Sequence, residues 1–162
     1  MMNRIFVVAD THFGHDKVIQ FEAARRPFTT IEEHDRELKE RWNATVGPKD
    51  TVWHVGDVFF GGRDAHGILS ELNGIKKLVL GNHDTYPIAV YQMYFSKICG
   101  AAELRGCVLT HIPVHPLQLE SRYVANIHGH LHSKSVGDPR YICVSVEHTD
   151  LRPVLLDSIL PA

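Results

Sequence analysis

Hydrophobic positions along this chain fall in short runs rather than long faces. Apolar, β-branched and aromatic residues cluster at Arg4–Ala9, Thr51–Val55, Lys77–Leu80, Cys107–Thr110, Tyr123–Ile127 and Tyr141–Val146, each bounded by polar or turn-forming residues. Runs of that length read as strands. Between the first two the period changes. Ile31, Leu38, Trp42 and Val46 recur on one helical face, Thr30 and Glu33 form a capping box at its start, and Gly47-Pro48 closes it. A second helix is expected from about Arg63 to Leu72, ending at Asn73-Gly74, and Thr85–Ser96 leaves room for another after Pro87. Ala101–Arg105 and Cys107–Thr110 flank Gly106 as a hairpin would, and Pro153–Leu156 reads as a last strand. An early βαβ half followed by a β-rich half implies an α/β architecture of mixed sheets covered by helices. No internal repeat, low-complexity segment or linker interrupts the pattern, so residues 1–162 read as one domain.

The polar residues that follow these runs carry the chemistry. Arg4–Ala9 runs into Asp10-Thr11-His12, Thr51–Val55 into Gly56-Asp57, and Lys77–Leu80 into Gly81-Asn82-His83-Asp84. Cys107–Leu109 leads to Thr110-His111, and Tyr123–Ile127 to His128-Gly129-His130-Leu131-His132. Ligands of open α/β sheets bind outside the carboxyl ends of strands, so five distant segments are expected to deliver these groups to one rim. Gly56, Gly81 and Gly129 each stand one residue before a candidate ligand, where the chain must turn sharply or approach an ion closely. In extended backbone, residues i and i+2 point the same way, which aims both members of Asp10-x-His12 and of His130-x-His132 at one site. Asp10, His12, Asp57, Asn82, His111, His130 and His132 supply oxygen and imidazole but no thiolate. That set suits Mn, Fe, Zn, Ni or Co, and it exceeds what one ion takes from a protein. Asp57 stands where it can bridge two ions about 3.5–4 Å apart, as in two-metal hydrolases.

Composition narrows the classes. The net charge of −2 provides no broad basic surface for nucleic acid, and Arg25-Arg26 and Lys76-Lys77 are only short basic pairs. No apolar run approaches the roughly 20 residues of a membrane span, and the N-terminal run meets Asp10 too soon for a signal peptide. Cys99, Cys107 and Cys143 are widely spaced and form no CxxC pair, which argues against a disulfide framework or a thiolate zinc site. A cytoplasmic protein is expected.

The motifs Asp10-x-His12, Gly56-Asp57, Gly81-Asn82-His83-Asp84, His111 and Gly129-His130-x-His132, complete and in order, resemble those of the calcineurin-like metallophosphoesterases. The stretch from His12-Phe13-Gly14-His15 through Arg26-Pro27-Phe28 to Trp42-Asn43 is similar to a compact bacterial and phage branch of that superfamily. The resemblance implies a four-layer sandwich of two mixed β-sheets flanked by helices. It implies one divalent ion on Asp10, His12, Asp57 and His132, and a second on Asp57, Asn82, His111 and His130, with Mn the leading identity. His83 would be the catalytic histidine beside the leaving group, and Asp84 its orienting carboxylate. The activity implied is hydrolysis of small phosphodiesters, nucleotides included, and of monoesters second, by a hydroxide bridging the metals. The Arg that protein phosphatases and dinucleoside tetraphosphatases carry soon after Gly-Asp is absent, since Val58-Phe59-Phe60-Gly61-Gly62 follows Asp57.

Other residues are expected near the rim. His15, His115 and Arg26 are candidates for touching substrate, with a surface role as the alternative for Arg26. His128 falls on the face of His130 if its strand continues. His34, His66 and His148 read as solvated or structural, and His54 as packed inside a strand. The rival functions are a non-catalytic metal-binding scaffold and a nuclease.

Overall fold

The structure, a computed structural model, describes residues 3–61 and 65–161. Strand β1 (Ile5–Val8) pairs in parallel with β2 (Thr51–His54), β2 with β3 (Ile75–Val79), and β3 with β4 (Lys97–Cys99). A second sheet joins β5 (Ala102–Leu104) antiparallel to β6 (Cys107–Thr110), with β7 (Ala125–His128) and β8 (Tyr141–Cys143) following in parallel. The short β9 (Val154–Leu155) returns to the first sheet, antiparallel to β1. Both sheets are therefore mixed, with orders β4-β3-β2-β1-β9 and β5-β6-β7-β8.

Alternation along the strands builds two cores. Val7, Ala9, Trp53, Val55 and Val79 face the second sheet and meet Cys107, Leu109, Ala125 and Ile127. Their neighbours Phe6, Val8, Val52 and Leu78 point the other way and pack with Leu38 and Trp42 of the long helix. That helix (Ile31–Thr45) starts where the capping box places it, with Thr30 Oγ1 accepting from Glu33 N at 3.2 Å. Trp42 Nε1 donates to Asn73 O at 3.0 Å and pins the helix to the turn before β3. The outer side of the second sheet is covered instead by irregular chain. Val114 N donates to Asn126 Oδ1 at 3.0 Å, Tyr141 OH donates to Val114 O at 2.8 Å, and a single 3-10 turn (Pro116–Leu119) buries Leu119.

Some elements depart from the pattern reading. The second helix is a 3-10 run over Ala65–Glu71, and its expected start at Arg63 lies outside the described residues. Gly67 and Ser70, whose hydroxyl donates to Gly67 O at 2.7 Å, favour tight turns over α-helix. A helix does follow Pro87 (Ile88–Gln92), whereas the one-turn helix Val18–Phe21 and the three-residue β4 are too short to show a period. The run Tyr141–Val146 leaves its ladder at Cys143. Beyond it Ala9 N donates to Val144 O at 2.8 Å and Val146 N to Ala9 O at 3.1 Å, forming a lone bridge between Ala9 and Ser145. This bridge stitches the two sheets together where β1 ends, and it brings the loops after β1 and β8 side by side.

Candidate metal centre

The loops leaving β1, β2, β3, β6 and β7 converge on one cluster. Ligand atoms of Asp10, His12 and His132 lie within 4.8 Å of one another, and so do those of Asp10, Asp57 and His111. Asp57 Oδ2 sits between the two groups, 3.6 Å from His12 Nε2 and 3.3 Å from His111 Nε2. Its other oxygen, Oδ1, accepts from His83 N at 2.9 Å. Asp10 is used in the same divided way: Oδ2 accepts from Ser145 Oγ at 2.6 Å and from His130 N at 2.9 Å, which leaves Oδ1 for the cluster. Asn82 Oδ1 and His130 Nδ1 are 2.9 Å apart at the more exposed edge.

The backbone explains how these side chains reach one point. Asp10, His12, Asp57, His130 and His132 all have positive φ, between 49° and 69°. The two D/H-x-H pairs are therefore aimed by left-handed turns and not by extended strand, contrary to the alternation argument. Left-handed backbone lets the chain bend back over the strand ends, and for residues other than glycine it is strained. The glycines before the ligands make room. A Cβ on Gly129 would lie 2.5 Å from Asp10 Oδ2, one on Gly56 would lie 2.6 Å from His111 Nδ1, and one on Gly81 would collide with the Asp57 carboxylate.

The donor set fits divalent ions. Asp10 Oδ1, His12 Nε2 and His111 Nε2 are buried and have no hydrogen-bond partner. Buried polar atoms are rarely left so, and three of them turned toward each other mark a place for a cation. The tautomers agree. His111 Nδ1 is 2.9 Å from the carbonyl of Val55, so it carries the proton and Nε2 presents its lone pair. His132 Nδ1 is 2.9 Å from Glu147 Oε1, which fixes that ring likewise. Electrostatics shows the same demand for positive charge. Burial raises the Asp10 carboxyl to about 6, with His111 and His132 pulling it back only in part, and burial pushes His12 well below the usual imidazole range. Burial also opposes the charged forms of Asp57 and His111, but their close approach, with Asp57 Oδ2 3.3 Å from His111 Nε2, outweighs it, holding the carboxyl down and the imidazole up.

Around the cluster lies an aromatic rim. His83 is exposed, and its ring stands 6.1 Å from that of His12 and 4.9 Å from Phe60. His15 stacks on the same phenyl ring at 4.4 Å and lies 5.4 Å from His12, so it joins the rim. Phe60, Gly61, His83, Thr85, Tyr86 and Pro87 line an open cleft of about 420 Å³ beside it.

Three expectations, on Asp84, Arg26 and His128, are corrected, and the position of His115 is defined. Asp84 does not orient His83: its carboxylate accepts from the backbone amides of Gly81 (2.8 Å), Asp57 (2.9 Å) and Val58 (3.0 Å), latching the loop after β3 to the loop after β2. Arg26 is neither a substrate contact nor a surface residue but is fully buried, bonded to Glu147, His34 and the carbonyls of Asp10 and Thr11. His115 spends Nδ1 accepting from Leu117 N at 3.3 Å as the cap of a 3-10 turn, and none of its described contacts reaches the cluster. His128 does not share the face of His130, because the chain turns at Gly129-His130. Its Nδ1 meets Gly129 O, and its ring lies 6.1 Å from that of Tyr141. His34 and His54 are buried and hydrogen bonded, and His66 meets Tyr94 OH at 2.8 Å. The two residues that pattern reading missed are Ser145 and Glu147. Their i, i+2 spacing at the end of the Tyr141–Val146 run repeats the spacing of Asp10 and His12, and that was the available signal.

A family model of the calcineurin-like phosphoesterases matches residues 3–147. The chain belongs to this family. This calcineurin-like phosphoesterase is 31% identical to the uncharacterized protein MJ1445 of Methanocaldococcus jannaschii, over 98% of this chain and 90% of that protein. It is 30% identical to the gene 66 protein of Mycobacterium phage L5, over 83% of this chain and 80% of the phage protein. Among solved structures it resembles AQ665 of Aquifex aeolicus, a protein of unknown function, with a TM-score of 0.80 at 25% identity and 98% of each chain covered. A likeness of fold alone relates it to an archaeal phosphodiesterase, with a TM-score of 0.50 at 19% identity over 88% of this chain and 82% of the other. No helix among the described residues is long and apolar enough to cross a membrane.

Proposed function

We propose that this phosphoesterase is a metal-dependent hydrolase of small phosphodiesters, with monoesters as poorer substrates, working with two divalent ions of which Mn is the leading identity. The observation that carries the reading is the cluster of buried, partnerless donor atoms on Asp10, His12 and His111, with Asp57 Oδ2 between the two imidazoles. Asp10, His12, Asp57 and His132 would hold one ion, and Asp57, Asn82, His111 and His130 the other. Bound divalent ions supply Lewis acidity, which makes water nucleophilic near neutral pH and neutralises phosphoryl charge.

The chain's own residues do the rest. His83 is held by its backbone, through the amide that donates to Asp57 Oδ1, while its ring remains free at the rim. That placement suits an imidazole that stabilises the departing oxygen and gives it a proton as a general acid. His15 and Phe60 form an adjoining wall against which the ester's organic group lies, and the open cleft beside His83 supports small phosphoesters or nucleotides as substrates. A cytoplasmic setting belongs to the same reading, supported by three free cysteines.

Hydrolysis of a chromogenic phosphodiester beside its phosphomonoester, in metal-stripped protein with Mn²⁺ restored, tests this. Metal-dependent turnover with the diester faster is expected. No turnover of either ester, in protein shown to hold metal, would contradict it and leave a binding scaffold.

A further inference from the structure

Behind the cluster lies a second, wholly buried layer of charge that supplies none of the ligands. Glu147 has a fully buried side chain, and its Oε1 accepts from His132 Nδ1 at 2.9 Å and from Arg26 Nε at 2.8 Å, with Arg26 Nη2 at 2.6 Å completing the ion pair. Arg26 spends its remaining N–H groups on three more acceptors. Nη2 donates to Asp10 O at 2.5 Å, and Nη1 donates to Thr11 O at 3.1 Å and to His34 Nε2 at 2.9 Å. Because an arginine only donates, His34 must accept at Nε2 and carry its proton on Nδ1, which lies 2.8 Å from Asp35 Oδ1. Asp35 Oδ2 in turn accepts from Gly14 N at 2.8 Å. The helix Ile31–Thr45, the loop after β1 and the loop after β8 are thus tied through one guanidinium.

The acceptors chosen are informative. A buried ion pair that served the fold alone could be exchanged for apolar side chains at little cost. This one grips the carbonyls of Asp10 and Thr11, in the stretch of backbone between two ligands held at φ 57° and 49°. It also fixes the ring of a third ligand, His132. By contrast, among the described residues His111 Nδ1 meets the neutral carbonyl of Val55, and His130 Nδ1 meets Asn82, a neutral amide that belongs to the same half of the centre. A carboxylate behind an imidazole fixes its tautomer and raises its basicity toward a metal, and a neutral carbonyl does so less.

We propose that Glu147, held by Arg26, is a positioning residue for one half of the centre: it preorganises Asp10, His12 and His132 as the tighter metal site. The inference rests on the metallophosphoesterase reading above. It makes the two halves unequal, with the Asp10–His12–His132 half retaining its ion on dialysis while the His111–His130 half exchanges.

The test is Mn²⁺ binding by chelator competition, on the full chain, for the unmodified protein and for Glu147→Gln. The glutamine still accepts from His132 but lacks the charge. Affinity at the tighter half should fall about 10–100-fold, the usual cost of losing such a backing group, with the weaker half unchanged. The double replacement Arg26→Met with Glu147→Leu leaves no uncompensated buried charge, so it guards against simple misfolding. It should show the same selective loss. A merely structural role would lower the melting temperature of metal-free protein while leaving both affinities alone or weakening both equally, and either outcome overturns the proposal. Failure of the unmodified protein to bind Mn²⁺ at all would instead overturn the metal reading, and this inference with it.

Discussion

Left-handed backbone costs a residue other than glycine about 1–3 kcal/mol, yet five of the eight such residues among those described are candidate ligands. The cluster is therefore stored strain, held by the contacts that over-determine it: Ser145 on Asp10, His83 N on Asp57, Arg26 on the carbonyls of Asp10 and Thr11. Space is as tight as backbone. Gly81→Ala would drive a methyl into the Asp57 carboxylate, so it should cost metal content as well as activity, measured by elemental analysis after dialysis. Asp84→Asn tests the corrected role of that residue. With three backbone amides sharing its carboxylate, the amide should destabilise the protein by about 1–3 kcal/mol in urea unfolding. An orienting partner of exposed His83 would instead change turnover and leave stability alone.

At the scale of elements, the loops after β1 and β8 matter because the lone bridge between Ala9 and Ser145 holds them together. The long helix contributes from the other side, through His34 and Asp35 in its first turns. Its cap is separable from the site. Thr30→Ala should cost about 0.5–2 kcal/mol in urea unfolding while Mn²⁺ affinity stays unchanged, since the Thr30 side chain accepts from Glu33 N and touches none of the ligands' hydrogen bonds. A matching fall in affinity would mean that the helix itself gates the centre. This helix was legible in the sequence because its period spans four turns and both ends carry local signals. The strands preceding Asp10, Asp57, Asn82, His111 and His130 were legible because each apolar run stops at a polar group. β4 and the helix Val18–Phe21 are shorter than any period that could announce them. The contact of Arg26 with Glu147 was invisible for another reason: it joins residues 121 positions apart, and only a fold decides such a meeting.

The whole molecule gathers buried histidines, and its stability should record them. His54 is held at about 3 by burial, against the opposing pull of Asp57, and its Nε2 lies 2.9 Å from Thr11 Oγ1. An imidazole in unfolded chain titrates near about 6.5. Between those values the unfolded chain binds a proton that the folded one refuses. The contribution is fully present above the unfolded pKa and declines as pH falls toward about 3, by at most about 1.4 kcal/mol per unit. Urea unfolding of metal-free protein between pH 7 and 4.5 should therefore be less steeply acid-dependent in His54→Gln. Equal slopes would show that His54 is not the group refusing the proton.

In the proposed function one rim binds metal and also protonates a leaving group, with different residues for each task. Turnover of a phosphodiester by His83→Ala, measured beside its metal content, tests it most directly. Turnover about 10²–10⁴-fold below the unmodified protein, with metal content retained, is expected. Unchanged turnover in His83→Ala would contradict it.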